Sequence, residues 1–464
     1  MTVPGGRGRA RPRPVDRPAS RGSGGSAQHP LRPVDPARQV AYDLLRAVDA
    51  EGAYANLVLP RLLTERQLDT RDRAFATELA YGTLRALGTL DVLLDRHVSG
   101  PLQPAVRDAL RLGAYQLWRT RVPARAAVGT TVDLVRGIEP RASRLANAVL
   151  RRVADDVAGG DLGGPDPAAD PLGALAVRYA HPRWIVAAYA AALGVAPSDP
   201  QLRLALEADD ARPEVHLVAR RMNRDALLAM AGPAGRPGRW SERAVYLSGG
   251  DPGALAAVRD GRAAVQDEGS QLVALALAVA DAPGPLTLDL TSGPGGKGAL
   301  LVASGLQVLG LELHPPRARL VQRSGVPVAV ADARRAPLQP GRFDRVLLDA
   351  PCSGLGALRR RPEARWRRTE QDIAPLAELQ SQLLGAAVDL LRPGGVVAYA
   401  TCSPHTAETV DVVRAELARG RVEAHDARPL LPPYLPNLGE GPFVQLWPHR
   451  HGTDAMFLAV LRRR

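Results

Sequence analysis

"LDLTSGPGGKGALL" occupies residues 288–301 of a chain of 464. "LDL" alternates like the end of a strand, the glycine-rich stretch turns, and "KGALL" opens a helix. Strand, turn and helix in that order form the repeating unit of a doubly wound α/β sheet, whose ligands sit at the C-terminal strand ends. Gly293, Gly295 and Gly298 stand at G-x-G-x-x-G spacing. Such glycines let a ligand approach the backbone and aim amide N–H groups at it. A Walker A loop is excluded, because Thr291 stands where it needs glycine and Gly298 where it needs Ser or Thr. Lys297 is the one lysine among 60 Lys and Arg residues, which leaves 59 arginines. A chain that uses arginine on indifferent surfaces keeps this lysine for a reason.

The alternation continues downstream. "LQVLGLEL" (306–313) precedes the helical "PPRARLVQRSG", and "VPVAVADA" (326–333) is a further strand. "FDRVLLDA" (343–350) leads to the helix across "LAELQSQLLGAAVDLL". A turn at "RPGG", the strand "VVAYAT" (396–401) and the helix "AETVDVVRAELARG" complete the pattern. These elements predict a parallel sheet over residues 285–464.

Upstream, residues 1–34 are rich in Gly, Pro, Ser and Arg and are expected to be a disordered basic tail. Residues 35–156 carry helical periodicity, with Val40, Leu44, Leu45 and Val48 on one face, and predict an all-helical domain. "AGGDLGGPDPAADP" reads as a Gly/Pro/Asp linker, placed at residues 157–172. Residues 173–284 mix a helical "VAAYAAALG", a strand-like "EVHLVARRM" and the helix "DEGSQLVALALAVAD", a connecting α+β segment.

The formal net charge is +12. Residues 1–33 hold seven Arg and one Asp, and "RRRPEARWRR" (359–368) holds six Arg and one Glu. These two stretches supply +6 and +5 and imply a polyanionic partner, most often a nucleic acid. Arg359, Arg360, Arg361, Arg365, Arg367 and Arg368 are expected to grip phosphates, with Trp366 stacking on a base. Two cysteines are too few for a disulfide framework, and neither they nor the nine His show metal-ligand spacing, so no metal is expected. There is no signal-peptide pattern or long apolar run. A cytoplasmic, monomeric protein is the expectation.

Glu312 ends the strand after the glycine turn and Asp332 follows the next, where acids serve ribose hydroxyls and an adenine. That suits an adenosine cofactor, a dinucleotide or S-adenosylmethionine. Cys352 in "DAPCSGLG" and Cys402 in "ATCSPHTAET" follow predicted strand ends beside the same crevice. A lone buried cysteine is commonly an apolar filler. Two thiols at one cofactor crevice argue for nucleophilic chemistry. C5 of a pyrimidine cannot attack a sulfonium methyl until a thiolate adds at C6 and makes C5 enamine-like. Asp349 is placed to assist as the acid near N3.

Residues 285–464 resemble the catalytic domain of RNA cytosine-C5 methyltransferases of the Sun/Fmu type. Pro294, Gly295, Gly296 and Lys297 match the family's P-G-G-K loop, residues 349–354 its D-A-P-C-S-G, and residues 401–403 its T-C-S. The resemblance implies an S-adenosylmethionine-dependent, Rossmann-like fold. It implies Cys402 as nucleophile and Cys352 as the residue assisting product release. It places Lys297 against the cofactor, with Asp349 near both base and methyl donor. Where the family loop begins C-A-A, this chain has Thr291, Ser292 and Gly293, and Gly298 follows the lysine in place of Thr. Residues 36–156 are similar to the NusB antitermination factor, and that fusion implies 16S ribosomal RNA as substrate. A dehydrogenase would leave the cysteine pair unexplained, and a DNA cytosine methyltransferase would leave Cys402 idle. A non-catalytic RNA-binding antitermination factor and a tRNA methyltransferase are the other readings.

Overall fold

The structure, a computed structural model, describes residues 34–464. The basic tail expected at residues 1–34 therefore lies outside the described residues but for its last position.

Six helices form the first domain: α1 (Pro36–Glu51), α2 (Ala55–Glu65), α3 (Thr70–Asp95), α4 (Pro104–Arg119), α5 (Ala124–Ile138) and α6 (Ser143–Ala158). Asp35 caps α1 by accepting from the Arg38 amide, and Asp69 caps α3 through the Asp72 amide. Val40, Leu44, Leu45 and Val48 are buried together in one core with α3 and α4. Residues 159–170, with turns at 159–160 and 167–169, lead to α7 (Pro171–Arg178), α8 (Arg183–Leu193) and α9 (Pro200–Asp210).

The connecting segment carries a four-stranded sheet that its sequence pattern only hinted at. Its strands are β1 (Val215–Ala219), β2 (Gly235–Pro237), β3 (Ala244–Leu247) and β4 (Ala263–Val265). They run in the order β2-β3-β1-β4, all antiparallel. Helix Glu268–Val279 then enters the last domain.

That domain is built on β5 (Leu286–Asp289), β6 (Gln307–Glu312), β7 (Val328–Val330), β8 (Phe343–Asp349), β9 (Leu391–Thr401), β10 (Val422–His425), β11 (Val444–Gln445) and β12 (Phe457–Arg463). The sheet order is β10-β12-β9-β8-β5-β6-β7, with β11 beside β12. Strands β5 to β9 pair in parallel, as the alternation of strands and helices predicts. The expected all-parallel sheet is corrected at one edge, where β12 runs antiparallel to β9 and to β10. No helix separates β11 from β12, except one of four residues, so the chain returns without a parallel crossover.

Helices cover both faces of this sheet, so its central strands are apolar throughout. Along β8, Val346 and Leu348 enter one core while Leu347 enters the other. Ala398 and Ala400 of β9 share the core of Leu347, and Val397 and Tyr399 share the opposite one. The strand order reverses between β5 and β8, the position where an open α/β sheet leaves a crevice at its strand ends.

The arginine-rich stretch corrects the RNA-binding expectation. Arg365 is fully buried and donates to the Ala180 and Asp209 carbonyls at 2.8 and 3.1 Å. Arg359 and Arg360 pair with Asp454 at 3.0 and 2.9 Å, and Arg360 also reaches Asp267 at 2.7 Å. The Trp366 indole donates to the Leu84 carbonyl at 2.8 Å and lies over Gly88, where a Cβ would overlap the ring. Arg367 donates to the Val48 and Ala53 carbonyls. Buried charges need partners, and these arginines find theirs within the fold. The segment fastens the last domain to the first. Arg361 is exposed and Arg368 half-buried.

Candidate active site

Five strand ends converge here. In the β8/β9 register Asp349 lies beside Ala400, so the chains leaving the two strands emerge side by side. The Ala350 amide donates to the Ala400 carbonyl, and the Gly356 amide to the Cys402 carbonyl at 2.9 Å. These bonds bring the sulfurs of Cys352 and Cys402 to 3.4 Å, both as free thiols.

Lys297 Nζ donates to Asp349 Oδ2 at 2.7 Å. Burial opposes the Lys297 ammonium, but the Asp349 charge and hydrogen bond more than offset it, and its pKa ends above the ordinary value. Thr291 Oγ1 donates to the Asp349 carbonyl, tying the glycine loop to the end of β8. The mutual hydrogen bond is the largest influence on both thiols. It holds Cys402 below the ordinary thiol value, helped by Lys297 and opposed by burial and Asp349. The same bond, with burial, pushes Cys352 well above it. The pair is therefore asymmetric: Cys402 gives up its proton more readily than Cys352.

In the loop, Gly295 takes φ +98°, and a Cβ there would overlap Ser324. At Gly293 a Cβ would overlap the Glu312 carboxylate, so glycine lets the loop and the strand-end acid line one groove. Glu312 is buried and accepts from the His314 amide at 2.9 Å. Arg317 spans the groove, 3.6 Å from Glu312 and donating to the Gly293 carbonyl at 2.7 Å. Ser292 is buried, and its hydroxyl donates to Asp289. Pro294 follows a cis peptide, and Gly296 begins the helix Gly296–Ala303. Asp332 stands farther out, paired with Arg334, whose hydrogen bond lowers its pKa to about 2.

Residues the sequence reading missed complete the site. Asp289, at the end of β5, is only 2% exposed, and burial pushes its carboxyl up to about 7 against the Ser292 hydrogen bond. Its signal was the strand-end position alone. Arg220 and Gln266 of the connecting segment reach the loop, with Arg220 donating to the Gly296 carbonyl at 3.3 Å. Glu408, in the predicted "AETVDVV" helix, lies buried beneath both cysteine loops. Among the described residues no His/Cys/Asp/Glu cluster could hold a metal ion, and no helix is long and apolar enough to cross a membrane.

A glycine loop, an acid at each following strand end and a reversing sheet order define a Rossmann-like methyltransferase domain, here joined to a NusB-like helical domain. The family model "16S rRNA methyltransferase RsmB/F" matches residues 275–462, and the NusB family model matches residues 35–155. A Mycobacterium tuberculosis chain that carries a methyltransferase name, Rv1407, is 55% identical over 93% of this chain and 97% of its own length. The ribosomal RNA small subunit methyltransferase B of Pseudomonas putida is 36% identical over 82% and 89%. The crystal structure of PH0851 superposes with TM-score 0.73 at 22% identity, over 94% of this chain and all of that one, and shows the shared fold. The chain belongs to the RsmB/F family of 16S rRNA methyltransferases.

Proposed function

We propose that the chain methylates C5 of a cytosine in 16S ribosomal RNA, using S-adenosylmethionine and a covalent cysteine–C6 adduct. One observation carries the reading: a thiolate-leaning Cys402 sits 3.4 Å from a protonated Cys352, beside the Lys297–Asp349 pair. A methyltransferase acting on an oxygen or an exocyclic nitrogen needs no thiol, and two thiols of opposite state fit a reaction that both adds and expels sulfur.

The residues fit an adenosyl group. Gly293 and the buried Glu312 share a groove too tight for a Cβ, and the backbone there is free to approach a ligand. Residues 291–297 and Glu312 would hold the cofactor, with Asp332 at the outer rim. When bound, S-adenosylmethionine supplies an electrophilic methyl on a positively charged sulfur.

Cys402 attacks C6 as the thiolate. Asp349, held by Lys297 and one-third exposed, is the group placed to assist near N3 of the base. Lys297 keeps the local charge balanced so that Cys402 and Asp349 are not both left as unpaired anions. In release a base takes the C5 proton, the C6–S bond breaks with its electron pair on the Cys402 sulfur, and Cys352, which keeps its proton while Cys402 attacks, can give that proton to the departing sulfur. The DNA-type assignment reverses these roles and runs against the directions of both thiol pKa values. Arg361 and Arg368 remain as candidate phosphate contacts.

Mapping of 5-methylcytosine in 16S ribosomal RNA from cells with and without the gene tests this reading. One position should lose its methyl group and regain it when purified protein and cofactor are added. Loss of a modified adenine or guanine instead would overturn it.

A further inference from the structure

The chemistry of the thiol pair depends on two loops meeting, and one residue joins them. The Glu408 carboxylate is fully buried. Its Oε1 accepts from the Ser353 amide at 2.7 Å and from Gln380 Nε2 at 3.1 Å. Its Oε2 accepts from the Ser403 hydroxyl at 2.7 Å and from the Ser353 hydroxyl. Ser353 and Ser403 directly follow Cys352 and Cys402. Gln380 also donates to the Pro351 carbonyl at 2.8 Å, just before Cys352. Tyr399 closes the network from β9, donating to the Glu408 carbonyl at 2.7 Å.

A carboxylate accepts at about four lone-pair directions, and all four are filled here by donors from two loops and one helix. Bonds to an ionised acceptor are the strong ones, and an unfilled buried donor is costly. No backbone ladder extends this far beyond the strand ends, so without Glu408 the two cysteine loops would be tied by the Gly356 amide, the 3.1 Å contact of the Ser353 and Ser403 hydroxyls and the thiol pair itself, none of them charged anchors. We propose that Glu408 is a positioning residue: it locks the peptides after both cysteines and thereby sets the distance and facing of the two sulfurs. This deepens the covalent reading above and rests on it for the consequence in turnover, though not for the geometry.

The geometry has its own ruler. Diamide, an azo oxidant, takes up two hydrogens as two neighbouring thiols become one disulfide, so its rate with Cys352 and Cys402 reports their mutual placement without any substrate. In Glu408→Ala the Ser353 amide loses its acceptor, Gln380 keeps only the Pro351 carbonyl, and the two hydroxyls are left with each other. The cross-linking rate should fall about tenfold or more. With 16S RNA, kcat should fall by ~100-fold, the scale of a misplacement of about 1 Å, with KM for RNA and cofactor unchanged. Glu408→Gln should restore most of both rates. Its amide oxygen can serve the two N–H donors, and its NH2 can donate to hydroxyls that rotate to accept.

Thermal melting identifies variants that fold. If Glu408→Ala does not, Ser353→Ala combined with Ser403→Ala removes two of the four contacts and should slow cross-linking in the same direction. A folded Glu408→Ala that cross-links at the wild-type rate overturns the proposal. Slowed cross-linking in a wild-type background that makes no 5-methylcytosine would support the positioning role while refuting the reading of the reaction.

Discussion

The sulfurs of Cys352 and Cys402 lie 3.4 Å apart although 50 positions separate the residues in the chain. Because the proposed reaction gives the two thiols different roles, their removal should have different outcomes. Cys402→Ala should abolish activity and leave no protein–RNA adduct. Cys352→Ala should still attack and then stall, giving a complex that survives denaturing electrophoresis. An adduct lost on changing Cys352 and kept on changing Cys402 would reverse the assignment.

The same pairing sets a pH dependence. Cys402 is held low chiefly by the Cys352 hydrogen bond and secondarily by Lys297. Its alkylation by iodoacetamide should rise with pH through a midpoint below that of a free thiol. Cys352→Ala should move that midpoint up, and Lys297→Met should move it up by less. Equal midpoints in all three proteins would remove the basis for calling Cys402 the thiolate.

Asp289 gives a stability signature. Its folded-state pKa, about 7, lies above the usual carboxylate value, so the folded protein holds its proton more tightly than the unfolded chain. Stability from this group is complete below about pH 4 and is lost as pH rises through about 7, by at most roughly 4 kcal/mol. Asp289→Asn keeps an acceptor for the Ser292 hydroxyl and should flatten that part of the curve. Thermal melts between pH 5 and 8.5 decide it: parallel curves for the two proteins would contradict the burial argument.

Much of this was legible. The catalytic strands up to β9 follow from runs such as "FDRVLLDA", and the glycine loop and both cysteine loops follow from residues at strand ends. The arginine cluster was misread for a physical reason. Charge composition counts Arg359, Arg360 and Arg365 but cannot count the acids that meet them, and Asp209, Asp267 and Asp454 stand 93 to 156 positions away. Glu408 was invisible for the same reason, since a carboxylate in an amphipathic helix carries no mark of the four donors above it. Strand β12 was missed because "FLAVLRR" directly follows no helix longer than four residues and so falls outside the strand–helix alternation that guided the reading.

Trp366 now separates two roles. Trp366→Ala should destabilise the protein by about 2–4 kcal/mol through the space left on α3, and should leave the salt dependence of RNA binding unchanged. Arg361→Ala should do the opposite, sparing the melting temperature and lowering the log–log salt slope by about 0.7–0.9 if it contacts one phosphate. A stacking role for Trp366 requires its loss to weaken RNA binding in a protein of unchanged stability.

Glu312 and Asp332 should differ as well. Glu312→Gln removes a buried acceptor in the groove and should weaken S-adenosylmethionine binding about 10- to 100-fold, the range for a charged hydrogen bond. Asp332→Asn, at an outer position already paired with Arg334, should weaken it less. Calorimetric titration with cofactor, beside filter binding with RNA, checks both; a loss of RNA affinity alone would place the groove elsewhere.

The slot over Gly88 that the Trp366 indole fills also has a history in time. The indole and the Leu84 carbonyl it meets are 282 residues apart. At a synthesis rate of about 5–20 residues per second, a nascent chain waits roughly 15–55 s between making the helix and making its cover. Throughout that interval the helical domain leaves the ribosome with an open apolar slot, and the catalytic domain must emerge past its first cysteine loop before the slot can close. The first part of the molecule to be made is therefore among the last to be finished.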